Sequence, residues 1–269
     1  MKITFIGGGN MASAIIGGLL RKRWPRGAIQ VVEVAQPARA RLARAFKVKV
    51  RAALDAGAAA SDCIVLAVKP QQLREAARAL RPVLARQLVI TIAAGVRVKD
   101  LSRWLGGYPR IVRVMPNTPA LALAGISGLY ASRAVNATGR AAAQRILGAV
   151  GVTLWFKREE DLDAVTAVSG SGPAYVYYLL EALERAAREL GLTADAAQRL
   201  AHETFSGALK LVAQTGESPA TLRARVTSKG GTTERALASL AADRVADAIV
   251  RAVNAAARRS RELGDELGK

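Results

Sequence analysis

The chain has 269 residues, half of them apolar and only 4% aromatic, with 40 Lys and Arg against 21 Asp and Glu and a single cysteine. This length suits two modest domains or one large one, with cores packed mainly by Ala, Val and Leu. The lone Cys63 excludes an internal disulfide and fits a reducing, cytoplasmic compartment, and no uncharged stretch offers the ~20 apolar residues of a spanning helix.

The opening residues predict a strand over Lys2 to Ile6, broken by Gly7-Gly8-Gly9-Asn10, then a helix from Met11 to Arg23. That break interrupts any leader-like apolar run. A second strand fits Ile29 to Val34, followed by an Ala/Arg helix from about Pro37. Further strands fit Ile64 to Val68, Leu88 to Ile92 and Ile111 to Met115, with a helix over Gln71 to Leu84. Shorter strands fit Ile126 to Tyr130 and Val152 to Phe156. Val/Ile-rich strands alternating with helices imply a mostly parallel sheet covered on both faces, an α/β Rossmann arrangement.

The texture changes after about Asp161. Helical patterns run from Pro173 to Leu190, Ala194 to Gln214 and Asp243 to Leu263, without strand signals. Val176, Leu179, Leu180 and Leu183 fall on one helix, giving a wide apolar face that asks for a second copy. The expected organisation is a dinucleotide-binding domain over residues 1–160 and an all-α dimerisation and substrate domain over 161–269.

The first strand runs directly into Gly7-Gly8-Gly9-Asn10-Met11-Ala12, which opens a helix and matches the G-x-G-x-x-A dinucleotide fingerprint in its strand–turn–helix context. Gly7 allows the tight turn, Gly9 lets backbone approach a pyrophosphate, and Ala12 lets helix and strand pack closely. The helix N-terminus offers N–H groups and a positive dipole end to the anion. Glu33 ends the second strand, where a carboxylate accepts hydrogen bonds from ribose hydroxyls and points towards NADH. An NADPH enzyme places a cation there, and Arg39 and Arg41 follow, so the choice between NADPH and NADH stays open.

Three later segments narrow the chemistry. Ala67-Val68-Lys69-Pro70 follows the strand at Ile64, where a parallel sheet presents loops to its ligand. Ser169-Gly170-Ser171-Gly172-Pro173-Ala174-Tyr175 begins the helical half. Thr227-Ser228-Lys229-Gly230-Gly231-Thr232-Thr233 precedes another helix and suits a carboxylate held on backbone N–H groups. Each late segment alone reads equally well as an ordinary helix start, which Ser and Thr favour.

Together with Ala93-Ala94-Gly95-Val96 and Met115-Pro116-Asn117-Thr118-Pro119, these segments closely resemble the pyrroline-5-carboxylate reductase family, in order and over nearly the whole chain. The resemblance implies reduction of the C=N bond of L-1-pyrroline-5-carboxylate to L-proline, with a homodimer or larger ring built on the helical domain. It implies cofactor contacts at Gly8, Gly9, Asn10 and Met11, at Ala67, Val68, Lys69 and Pro70, and at Ala94 and Gly95; Gly7, Glu33 and Asn117 complete the expected cofactor set. It implies substrate contacts at Ser169, Ser228, Gly230, Gly231, Thr232 and Thr233, with the Thr233 hydroxyl near the ring nitrogen as the catalytic group. Glu159 matches an acidic position beside the substrate pocket in some relatives. Lys229 stands where many relatives carry proline, and Leu54 where they often place asparagine.

Other readings are weaker. A β-hydroxyacid dehydrogenase carries a lysine on its long helix, and none occurs from Val176 to Gly191. His202, the only histidine, sits mid-helix and reads as structural. A dinucleotide-binding sensor with a basic nucleic-acid surface would use the net charge of +19, but the arginines are scattered singly, with no basic tail, aromatic-laced stripe or zinc spacing. Neither a metal site nor a nucleic-acid partner is expected.

Overall fold

The computed structural model describes residues 1–269, the side chain of residue 58 excepted. The elements follow in the order β1 (Ile3–Ile6), α1 (Asn10–Arg21), β2 (Ile29–Val32), α2 (Gln36–Phe46), β3 (Lys49–Arg51), α3 (Ala56–Ala59), β4 (Cys63–Leu66), α4 (Pro70–Leu80), β5 (Leu88–Thr91), α5 (Val98–Trp104) and β6 (Ile111–Met115). Then come β7 (Gly125–Ala131), α6 (Ala137–Leu147), β8 (Gly151–Trp155), α7 (Asp161–Val165), a π-helical turn (Thr166–Gly170), α8 (Gly172–Glu189), α9 (Ala194–Thr215), α10 (Pro219–Arg225), α11 (Thr232–Ala242) and α12 (Val245–Leu267).

The eight strands form one sheet in the order β3-β2-β1-β4-β5-β6-β7-β8. The first six are parallel, β7 runs antiparallel to β6, and β8 is parallel to β7. Side-chain alternation sorts the strands onto two faces. Phe5, Val65, Ile90 and Val112 point into a cluster with Ile15 and Ile16 of α1 and Ile146 of α6. Ile64, Leu66, Val89 and Ile111 point the other way, onto Leu73 of α4 and Leu101 of α5. Both faces are dry, which is why these strands read as unbroken apolar runs.

The chain forms two compact units, one of Met1–Ser171 with Ala255–Lys269, the other of Gly172–Asn254. Two contacts tie α7 and the end of α12 into the first unit. A Cβ on Gly128 in β7 would lie 2.8 Å from Val165 and 3.1 Å from Leu162, so α7 seats directly on the sheet. The end of α12 returns to the same unit, where the Ser260 hydroxyl donates to the Asp163 carboxylate at 2.7 Å, both side chains buried.

The second unit is all helix. Thr193 and Ser218 cap α9 and α10 through their hydroxyls, and Gly216 closes α9 in the left-handed conformation. Only Ala197 and Ala201 are buried hydrophobics there, while Tyr177, Tyr178, Leu183, Leu209 and Val250 are exposed. A surface this apolar marks an interaction face. No helix among the described residues is long and apolar enough to cross a membrane.

Candidate active site

Parallel pairing aligns the carboxyl ends of β2, β1, β4 and β5, because Ile6 is registered with Val32 and Leu66, and Leu66 with Thr91. The segments that leave these ends are the ones expected to meet a dinucleotide: Gly7–Met11, Glu33, Ala67–Pro70 and Ala94–Gly95. The structure therefore brings them to one edge of the sheet, beside the point where the strand order reverses between β1 and β4.

Within the first segment the glycines have separate reasons. Gly7 adopts φ +94°, and a Cβ there would lie 2.8 Å from the Ala67 carbonyl oxygen, so the turn and the close approach of two strands both demand it. Gly9 is different. Its φ is −68°, and a Cβ would meet nothing within 4 Å. No neighbour within the protein requires glycine there, so the open space in front of Gly9 is room for an external group. Gly9 is also the N-cap of α1, which has no side-chain cap and no acidic residue in its first turn. Exposed N–H groups and the dipole end face that space, and Ala12 is fully buried beneath it. These features fit a dinucleotide pyrophosphate.

The remaining cofactor candidates surround this feature. Glu33 is half-buried. One carboxylate oxygen accepts from the Gly8 N–H at 2.9 Å and the other from the Ala35 N–H at 2.9 Å. Arg39 folds back and donates to the carbonyls of Glu33 and Val34 at 3.1 and 2.6 Å, which holds a cation beside the same corner. Lys69 is the exposed N-cap of α4, and Pro70 starts that helix at the position proline favours. Gly95 has φ +79°. Asn117, beyond β6, is buried, and its side-chain carbonyl accepts from the Ile126 N–H at 2.9 Å.

Two expected substrate residues in this unit are held by internal bonds. The Glu159 carboxylate accepts from Arg113 at 3.0 Å and from the Val98 N–H at 2.7 Å, forming an ion pair in which Arg113 is almost fully buried. It caps the start of α5 from a distant part of the sequence. Ser169 lies in the π-helical turn, donating to the Val165 carbonyl at 3.0 Å. Such turns concentrate at functional sites.

In the helical unit, Gly231 is the N-cap of α11 without a side-chain cap, and Gly230 before it has φ +74°. The Gly231 N–H reaches the Ser228 carbonyl at 3.0 Å, and the Gly230 N–H donates to Glu234 at 2.7 Å. The N–H groups of Thr232 and Thr233 have no backbone acceptor among the described residues, and the Thr233 side chain is half-buried. A small carboxylate fits such a helix start. His202 pairs with Glu184 at 3.1 Å between α9 and α8, a structural bond.

Comparison with known proteins converges on one family. Residues 159–263 match the family model described as pyrroline-5-carboxylate reductase dimerisation, and residues 2–95 match that of NADP oxidoreductase, coenzyme F420-dependent. The pyrroline-5-carboxylate reductase of Pseudomonas aeruginosa is 43% identical over 269 residues, which is 100% of this chain and 98% of the relative. That of Haemophilus influenzae is 40% identical over 263 residues, with 97% of each chain covered. Among solved structures, a pyrroline-5-carboxylate reductase from Coxiella burnetii matches with a TM-score of 0.91 at 38% identity, covering 97% of this chain and 98% of that one. The Plasmodium falciparum pyrroline carboxylate reductase with NADP bound matches with a TM-score of 0.87 at 28% identity, covering 98% of each.

Proposed function

The chain belongs to the pyrroline-5-carboxylate reductase family, and from that premise we propose that it reduces the C=N bond of L-1-pyrroline-5-carboxylate to L-proline with NADPH or NADH. One observation carries the assignment to residues. Two helices, α1 and α11, begin on glycine with no side-chain cap and with first-turn N–H groups free of protein acceptors. The reaction needs two anion sites, one for a pyrophosphate and one for a carboxylate, and these helix starts supply both kinds.

In this reading Gly7, Gly8, Gly9, Asn10 and Met11 hold the pyrophosphate, Glu33 meets the adenosine ribose, and Ala67–Pro70, Ala94, Gly95 and Asn117 line the remaining length. The bound cofactor supplies the hydride that goes to the imine carbon. The α11 start anchors the substrate carboxylate on its free first-turn N–H groups, Thr232 foremost, with Ser228, Gly230 and Gly231 shaping the turn that presents them. The Thr233 hydroxyl hydrogen-bonds the ring nitrogen, and Ser169 bounds the substrate. The substrate reacts as the iminium, which already carries its nitrogen proton, so the new C–H bond leaves a secondary amine without a strong general acid. The protein's task is then orientation and electrostatic anchoring.

The helical unit completes itself against a second copy through the apolar faces of α8 and α9, as a dimer or a larger ring, and the enzyme works in the cytoplasm. The direct test of the site is Thr233→Ala. It lowers kcat/KM for the pyrroline while leaving cofactor affinity intact, and turnover equal to that of the unaltered protein removes Thr233 from the mechanism.

A further inference from the structure

The segment between β5 and α5 is held from outside by the last turns of α12. A Cβ on Gly95 would meet Leu267 at 3.0 Å and Leu263 at 3.5 Å, so the C-terminal helix lies against the glycine itself. Two residues later, Arg97 is the N-cap of α5 and reaches the same helix. Its guanidinium donates to Asp265 at 2.6 Å and to the Arg261 carbonyl at 3.3 Å. Gly264 is buried beneath it, and a Cβ there would approach the guanidinium to 3.1 Å. Arg103 of α5 donates to the Gly268 carbonyl, and Leu267 packs on the core that contains Val96 and Leu101.

These contacts converge on one short stretch of backbone. The ion pair is partly exposed, with Asp265 largely in solvent, so it contributes little to global stability. Its effect is local, on the path of residues 94–97.

We propose that the last turns of α12 brace the Ala94–Gly95 segment in the shape that receives the cofactor, with Arg97 and Asp265 as positioning residues. This rests on the reading that Ala94 and Gly95 contact the dinucleotide. If the segment samples other shapes, apparent affinity falls by the fraction of time it spends in the competent one.

The test uses full-length Arg97→Ala, Asp265→Ala, the reversed pair Arg97→Asp with Asp265→Arg, and Ala94→Asp. The readouts are hydrogen exchange at residues 93–98 without cofactor, the Kd of the tighter-binding of NADPH and NADH, and the KM for pyrroline-5-carboxylate. Both alanine variants should exchange faster at residues 93–98 and bind cofactor roughly fivefold or more weakly. The substrate KM and the melting midpoint should stay put, and the reversed pair should recover most of the affinity. Ala94→Asp sets a charge against the phosphates and should weaken binding without faster exchange. Unchanged cofactor affinity and exchange in both alanine variants, with weak binding by Ala94→Asp, overturns the brace. Normal binding by Ala94→Asp overturns the underlying loop reading, and the brace with it.

Discussion

The carboxylate of Glu33 sits 2.9 Å from the amide nitrogen of Gly8, so the end of β2 and the glycine turn after β1 are one hydrogen-bonded structure. Glu33 thus fixes the turn and, in the proposed binding mode, sets a carboxylate at the corner where a ribose 2′ substituent would arrive.

That charge attracts a ribose diol and repels a 2′-phosphate, while Arg39 lies beside the same corner. Replacing Glu33 with serine should move the ratio of kcat/KM for NADPH over NADH upward by roughly fivefold or more, since even a like-charge contact fully screened by water costs about 1 kcal/mol. Steady-state kinetics with each cofactor decides it. An unmoved ratio reduces Glu33 to a turn-forming residue.

Gly7 and Gly9 should fail in different ways. Gly7→Ala forces a side chain into φ +94° and towards the Ala67 carbonyl, so thermal or urea unfolding should show a loss of about 2 kcal/mol or more. A Cβ at Gly9 meets no protein atom within 4 Å and the φ there is ordinary, so in Gly9→Val the melting midpoint should hold while cofactor binding disappears. Tight binding by the Gly9 variant places the pyrophosphate elsewhere.

The Glu159–Arg113 pair predicts a stability effect. Glu159→Gln strips the counter-charge from a guanidinium that is almost fully buried, which costs about 3 kcal/mol. A melting shift with unchanged substrate KM assigns the residue to the start of α5. A large KM change at unchanged stability returns it to the substrate pocket.

Much of this was legible in the sequence. Val- and Ile-rich runs such as Cys63 to Leu66 announced buried parallel strands, and the turn after Ile6 announced the helix start that follows. The apolar residues of α8 announced a surface awaiting a partner. What stayed hidden depends on distant neighbours. Lys49–Arg51 is too short and polar to signal a strand, and it exists because β2 offers an edge. The reversed direction of β7 leaves no local mark, since alternation is blind to strand polarity. Arg97 and Asp265 are 168 positions apart and look like ordinary surface charges. The internal partners of Glu159 and Asn117, which are Arg113, Val98 and Ile126, likewise come from elsewhere in the chain and leave no mark near either residue.

Cys63 predicts a pH effect with a definite sign. Burial, with Asp62 adding to it, pushes the thiol from an ordinary 9.0 up to about 12. The folded state then binds a proton that the unfolded chain releases, so this group's contribution to stability is complete below pH 9.0 and is lost as pH rises towards 12. Alkylation at mildly alkaline pH should spare the native protein and label the urea-unfolded one. Rapid labelling of the native protein contradicts the burial.

The central claim is tested most directly by following the near-ultraviolet absorbance of reduced nicotinamide in purified protein with L-1-pyrroline-5-carboxylate, run separately with NADPH and NADH. The account predicts substrate-dependent loss of absorbance with L-proline formed in equal amount. No loss with either cofactor, from protein that demonstrably binds one of them, contradicts it.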